Sequence, residues 1–294
     1  MKTFSHIPVF ASLIFVVFAF NKRSNNVGEL EVITLEQALK ENLLTATFQA
    51  NGNYSGNSLA CKMKNLKTKS YKIVIPAGTY FMAPSTDEQD LIIPQEEFFV
   101  LKTNESKSIV LNGYCCNLSN HAPTEDGKFT LIPSKAPKEM PKLLAFLKGK
   151  KYENHTLQDA IWAVTNKSSV TNVYGTDAKA VEALRKELFA LTGQKEDWYQ
   201  SPQQTTVNED RSINRETASI SGDLEYEAKK GSKVHTEVFS PEGTVKIKTD
   251  DKELTMSGTL SFHFKVEVQG WKKGKYQVKV IENSKVIKSY DFNV

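Results

Sequence analysis

Three cysteines are the residues of this sequence best suited to covalent chemistry. Cys61 stands alone, whereas Cys115 and Cys116 are adjacent in the segment S-I-V-L-N-G-Y-C-C-N-L. Thiols form disulfides in oxidising compartments, and they act as nucleophiles when a base such as histidine lies within hydrogen-bond reach. An odd number of thiols leaves one of them unpaired, paired between chains or used in another reaction.

Other residues that commonly carry catalysis form no recognisable motif. The five histidines are scattered along the chain: His6, His121, His155, His235 and His263. There is no H-E-x-x-H, C-x-x-C or paired-carboxylate spacing and no glycine-rich phosphate loop. Nothing in the spacing favours a nucleophile pair between either adjacent cysteine and His121 or His155. We therefore predict that the protein is not an enzyme, with no catalytic residue, metal site or cofactor.

A glutamine and a tryptophan share one face of a predicted helix in the segment H-T-L-Q-D-A-I-W-A-V-T-N. Thr156 followed by Asp159 has the spacing of a capping box, which predicts that the helix begins at Thr156. Gln158 and Trp162 are four residues apart and therefore lie on the same side of it. An apolar face lies next to them and is formed by Leu157, Ala160, Ile161 and Val164.

Two short motifs together resemble those of the thioester domains of bacterial surface adhesins. The first is the aromatic-plus-cysteine step Tyr114-Cys115, and the second is Gln158-Asp159-Ala160-Ile161-Trp162, a Gln-x-Ala-aliphatic-Trp helix. In that family the cysteine sulfur and the glutamine side chain condense into an internal thioester with loss of ammonia. The resemblance implies a Cys115–Gln158 thioester that bonds covalently to a nucleophile on a partner, with Tyr114 and Trp162 as supporting residues.

The physical requirement for such a bond is that its two halves are positioned before they react. A cysteine on a rigid strand and a glutamine on a capped helix meet this requirement, because a high effective concentration replaces an encounter in solution. The sequence departs from the family pattern in two ways. The interval between Cys115 and Gln158 is short, and the neighbouring Cys116 is a thiol that could take over the acyl group by exchange.

The segment before these motifs has the pattern of an antiparallel β-sandwich. From residue 58 to residue 131, short apolar runs recur at intervals of roughly 8–12 residues, separated by polar turns. Successive side chains of a strand face opposite sides, so we expect only one of Cys115 and Cys116 to enter the core. That cysteine could pair with Cys61 if their strands are neighbours, and the candidate disulfide is Cys61–Cys116. A bond between the adjacent Cys115 and Cys116 would be strained.

A helical segment, a linker and a second β module are predicted after the sandwich. Residues 133–198 form a helical appendage, in which the segment from Asp177 to Thr192 has a clear apolar stripe and ends before Gly193. Residues 199–215 are polar and are predicted to be a linker. Alternating apolar runs in residues 216–294, with Asn283-Ser284 as a hairpin turn, predict a small Ig-like β-sandwich. The predicted domains are therefore 28–198 and 216–294.

The amino terminus has the pattern of a secretory signal peptide, predicted over residues 1–23. An apolar run of about 14 residues from Ile7 to Phe20 is shorter than the ~20 residues that span a membrane. Ala19 provides a cleavage position, and no cysteine follows that could carry a lipid. An uncleaved anchor would place Lys22 and Arg23 on the exported side, against the usual charge bias. We expect an exported protein with no membrane span after cleavage.

Composition and charge narrow the class of partner. The chain has 294 residues, 39% of them hydrophobic, and a net charge of +4 from 38 basic and 34 acidic residues. This mixture lacks the clustered basic face that nucleic-acid binding requires. Our prediction is a mainly β, secreted or cell-envelope binding protein that is not catalytic, with an unknown protein or glycan ligand at the cell surface. The alternative is a covalent adhesin that uses Cys115 and Gln158.

Overall fold

The amino-terminal half of the protein is built from two β-sheets whose inward faces share one core. The computed structural model describes residues 30–294, so the predicted signal peptide lies outside the described residues. The strands of this half are β1 (Glu31–Thr34), β2 (Leu44–Ala50), β3 (Asn57–Asn65), β4 (Tyr71–Ile75), β5 (Tyr80–Met82), β6 (Leu91–Ile92), β7 (Glu97–Leu101), β8 (Ser106–Asn112), β9 (Tyr114–Cys115) and β10 (Lys128–Ile132).

The larger sheet has seven strands in the order β8-β3-β2-β10-β5-β6-β9, and the smaller one has the order β1-β4-β7. Strand pairing is antiparallel except between β1 and β4, which are parallel. Buried side chains from both sheets, such as Leu59 and Ile73, form a single cluster that we call the sheet core. The predicted mainly β sandwich with helices is therefore confirmed. Strand β9, which carries Cys115, lies at one edge of the larger sheet.

Helices cover the outer face of the larger sheet near β9. They are α2 (Met140–Leu147), α3 (Asn154–Thr165) and α4 (Ala178–Thr192), while α1 (Leu35–Lys40) lies near the start of the chain. The buried residues of α2–α4 pack against Tyr80, Ile92 and Tyr114 in a second cluster, which we call the helical core. Strand β9 therefore has an apolar core on each of its faces.

Local capping explains where two of these helices begin and end. Thr34 caps α1 by accepting a hydrogen bond from the backbone of Gln37. Asp177 caps α4 in the same way, through Ala180, and the left-handed Gly193 ends that helix as predicted. Helix α3 begins at Asn154, so the predicted cap at Thr156 is wrong. Thr156 lies inside the first turn, and its hydroxyl donates to the carbonyl of Tyr174, 2.6 Å away.

The carboxy-terminal strands form a second β-sandwich. They are β11 (Tyr199–Gln200), β12 (Gln203–Val207), β13 (Ile213–Thr217), β14 (Ser219–Ala228), β15 (Lys233–Phe239), β16 (Val245–Lys248), β17 (Lys252–Glu253), β18 (Gly258–Glu267), β19 (Lys275–Glu282) and β20 (Lys285–Asn293). One sheet has the order β11-β14-β18 and the other β16-β15-β19-β20, with β17 beside β15. The two enclose a third core. Asn283 and Ser284, both with positive φ, form the predicted hairpin turn.

The segment predicted to be a linker is structured, which corrects the prediction for residues 199–215. Tyr199 is buried in the third core, and strands β12 and β13 form an antiparallel hairpin. Its residues are half-buried or exposed, and side-chain hydrogen bonds such as that between Gln204 and Gln269 hold it in place. Residues Glu31–Val294 form one compact unit, and the boundaries of the two predicted domains stay a prediction.

Within residues 30–294, no helix is long and apolar enough to cross a membrane.

Candidate functional site

The structure brings Cys115 and Gln158 into direct contact, although 43 residues separate them in the sequence. Cys115 ends strand β9, where it lies opposite Leu91 of β6. Its backbone N–H donates to the side-chain oxygen Oε1 of Gln158 at 3.0 Å. The side-chain Nε2 of Gln158 donates to the backbone oxygen of Cys115 at 2.8 Å. The glutamine amide is thus held on both sides by the backbone of one residue.

Burial isolates this pair from solvent. Cys115 is fully buried and Gln158 is 1% exposed. The side chain of Cys115 belongs to the sheet core, as does that of Trp162, which lies one helical turn after Gln158. The Gln158 amide is therefore fixed on the backbone of Cys115 in a space that excludes bulk water. The backbone N–H of Cys115 also donates to the carbonyl of Tyr54 at 3.1 Å.

Trp162 fixes the helix that carries Gln158. Its ring is 1% exposed and stacks on Tyr54 with ring centres 5.9 Å apart and planes 9° from parallel. Its Nε1 donates to the side-chain oxygen of Gln89 at 3.4 Å. The guanidinium of Arg215 lies over the same ring, 4.9 Å from its centre. These contacts set the rotation of α3 and hence the direction of the Gln158 side chain.

Tyr114 joins the strand to the start of the same helix. Its hydroxyl donates to the side-chain oxygen of Asn154 at 2.9 Å. Burial, with a smaller effect from Glu97, raises the pKa of this phenol to about 12, so the phenol is neutral at physiological pH. Of the two residues predicted as supporting, Tyr114 therefore contacts the start of the helix that presents Gln158, and Trp162 belongs to that helix.

The electrostatic surroundings keep the Cys115 thiol protonated. Burial is the main cause that raises its pKa well above the usual value, and nearby Cys116 and Asp90 act in the same direction while Arg211 opposes them. A thiolate of the kind that cysteine hydrolases use would need a low pKa. Neither of the two histidines considered as bases is hydrogen-bonded to a thiol: His155 stacks on Tyr174, and the backbone of His121 bonds to Asp87 and Gln89.

Both adjacent cysteines are buried, but in different cores. They do face opposite sides of β9: Cys115 lies in the sheet core and Cys116 in the helical core. As expected, only one of them enters the sheet core, and helices bury the other on the opposite face. Cys116 lies within hydrogen-bonding reach of Tyr80, and burial raises the pKa of its thiol. Its direction away from the sheet core separates it from the Cys115–Gln158 contact.

The predicted disulfide between Cys61 and Cys116 does not form. All three cysteines lie in the described part of the chain, and all are free and buried. Cys61 is on β3, between Phe48 of β2 and Ile109 of β8, whereas Cys116 is on the helical side of the larger sheet. The larger sheet itself separates the two side chains. Burial raises the pKa of Cys61 to about 12, so this thiol is also protonated.

An ion pair beside the site was not predicted from the sequence. Asp159, next to Gln158 on α3, pairs with Arg215 of β13, and both side chains are almost fully buried. Burial raises the pKa of Asp159 to about 7, although Arg215 acts to lower it. The signal in the sequence was an acidic residue in an otherwise apolar helix, but its partner lies in the segment that was taken for a linker.

Metal ligands are not grouped anywhere in residues 30–294: no three His, Cys, Asp or Glu side chains are placed to share an ion. Comparison of the sequence with protein-family models and with curated proteins finds no match.

Proposed function

We propose that the protein is an exported binding protein that attaches covalently to its partner through a thioester between Cys115 and Gln158. The observation that carries this proposal is the double hydrogen bond between the Gln158 amide and the Cys115 backbone. Glutamine side chains are mostly exposed in proteins, and here one is buried and bonded to the backbone of a cysteine. Such pre-positioning gives the high effective concentration that an intramolecular reaction requires.

The reaction is balanced without a cofactor. The Cys115 sulfur attacks the side-chain carbonyl carbon of Gln158, the C–N bond breaks, and the thiol proton leaves with the nitrogen as ammonia. The backbone N–H of Cys115 already donates to Oε1, the oxygen that carries negative charge during this attack. A fixed donor at that position is the kind of group that stabilises a tetrahedral intermediate.

Burial supports the second step as well. Exclusion of water protects a thioester from hydrolysis. A nucleophile on the partner, such as a primary amine, would attack the same carbon, break the C–S bond and return the proton to Cys115. The product is an amide bond between Gln158 and the partner.

A non-covalent binding protein remains the second candidate, and one observation favours it. Both polar atoms of the Gln158 amide are already satisfied by the Cys115 backbone. The pair can thus tie α3 to β9 without reacting. In this alternative the ligand surface lies elsewhere, and Gln158→Ala lowers stability while ligand binding persists.

The two candidates are separated by treating the purified protein with methylamine and locating the added mass by peptide mapping. The covalent proposal predicts addition at Gln158 in the unaltered protein and none in Cys115→Ala or Gln158→Ala. Cys116→Ala is the matched control, because it removes the adjacent buried thiol on the opposite face of β9 and should still add methylamine. Circular dichroism checks that each variant is folded. A folded, unaltered protein whose intact mass shows no loss of ammonia, and to which no methylamine adds, would refute the proposal.

A further inference from the structure

Access to the Cys115–Gln158 pair requires part of the protein to move. Neither residue presents more than 1% of its surface to solvent. A nucleophile from another molecule therefore cannot reach the acyl carbon in the closed structure. Movement of the segments that pack over the pair would therefore control access to it.

Tyr54 and the β12–β13 hairpin cover the pair. Tyr54 accepts a hydrogen bond from the Cys115 backbone through its own carbonyl, and its ring lies on Trp162. Thr205 of β12 is within hydrogen-bonding reach of the Tyr54 phenol. Ile213 of β13 packs against the sheet core that contains Cys115 and Trp162. The hairpin and Tyr54 together form one layer over the site.

Two arginines fasten the hairpin to this position. Arg215 pairs with Asp159 and lies over the Trp162 ring. Arg211, in the turn of the hairpin, donates to the carbonyls of Gly52 and Pro123, and its own carbonyl accepts from the Ala122 backbone at 2.8 Å. The Nε atoms of both arginines are buried without a hydrogen-bond partner among residues 30–294. Opening would hydrate these donors, so the closed position is one that can be released.

The same hairpin is bound to the second sandwich. Glu216 accepts from the backbone N–H of Gly270 at 2.7 Å, and Gln204 accepts from the side chain of Gln269 at 2.9 Å. The backbone N–H of Val268 donates to the Ala218 carbonyl at 3.0 Å, immediately after β13. The β12–β13 hairpin therefore contacts the site with one side and the turn between β18 and β19 with the other.

We infer that the β12–β13 hairpin is a releasable cover of the Cys115–Gln158 site, fastened by Arg215 and Arg211 and carried by the second sandwich. A partner that displaces the second sandwich exposes the acyl carbon, so reaction is coupled to binding. The reaction at this site rests on the proposed function, whereas the cover has a test of its own. Arg215, Arg211 and Glu216 act as positioning residues, since none of them takes part in bond formation.

The test measures how fast small reagents reach the site in the full-length protein under native conditions. If the protein carries a thioester, the readout is the rate of methylamine addition, followed by intact mass. If it carries none, the readout is the rate at which iodoacetamide alkylates Cys115, located by peptide mapping. The second readout is independent of the thioester, so failure of the proposed function and failure of the cover give different results.

Arg215→Ala should raise the rate about tenfold or more, because it removes a charged contact that opposes opening. Arg215→Lys, which keeps the charge, should give an intermediate rate. The control is Asp177→Ala, which removes the cap of α4 away from the hairpin and lowers stability without releasing the cover. An unchanged rate in Arg215→Ala, or an equal rise in Asp177→Ala, would overturn the cover.

Coupling to the second sandwich is tested with Glu216→Ala, which removes the contact with Gly270 and leaves Arg215 and Arg211 in place. The expected result is a faster rate than in the unaltered protein, because one of the contacts that hold the hairpin to the second sandwich is then lost. No change in this variant would overturn the role of the second sandwich in carrying the cover.

Discussion

The free energy of unfolding of the protein should fall as the pH rises towards neutrality, because Asp159 ionises over this range. Burial raises the pKa of this carboxyl to about 7 in the folded protein, in spite of Arg215, whereas an unfolded aspartate has a pKa of about 3.9. The folded state therefore binds the proton more tightly than the unfolded state. The stabilisation that this proton gives the folded protein is fully present below about pH 4. It decreases by about 1.4 kcal/mol per pH unit as the pH rises and is lost by about pH 7.

The assay is urea denaturation of the unaltered protein and of Asp159→Asn at pH 5, 6, 7 and 8. Asparagine does not titrate, so the difference between the two free energies of unfolding isolates Asp159 from the other ionisable groups. We expect the unaltered protein to lose about 3 kcal/mol relative to the variant between pH 5 and pH 8, most of it below pH 7. A difference that stays constant, or that favours the unaltered protein as pH rises, would refute the reasoning. It would mean that attraction to Arg215 outweighs burial.

Two further predictions concern the residues around the site. Tyr114→Phe removes the hydrogen bond to Asn154 and should lower the free energy of unfolding by about 1 kcal/mol. Chemical denaturation measures this difference, and an unchanged midpoint would show that the bond is not formed in solution. The thiols of Cys61 and Cys116 should react slowly with iodoacetamide at pH 8 and rapidly after denaturation, because burial raises both pKa values. Rapid labelling of either thiol in the folded protein would contradict its burial.

Much of the fold follows from local sequence patterns. The cap at Asp177 and the left-handed Gly193 define α4, and the positive φ values of Asn283 and Ser284 produce the final hairpin. The relation of Gln158 to Trp162 also follows from helical periodicity. These features depend on residues near one another in the chain, so the sequence alone contains the information that fixes them.

The features that were missed depend on contacts between distant segments. Burial of both Cys115 and Cys116 requires helices on the outer face of the sheet, and strand alternation cannot show what covers a face. Arg215 lies in a polar stretch that has no apolar periodicity, so nothing local indicates that it pairs with Asp159. The capping role assigned to Thr156 failed for a similar reason, because its hydroxyl bonds to Tyr174 from another loop.

The most direct test of the central proposal is the intact mass of the mature protein, measured without reductant before and after exposure to methylamine. The proposal predicts a mass that is lower by one ammonia than the sequence requires, followed by gain of one methylamine. The deficit should be absent from Gln158→Ala. A mass that equals the sequence mass and does not change with methylamine would contradict the thioester, leaving Cys115 and Gln158 as a structural contact in a non-covalent binding protein.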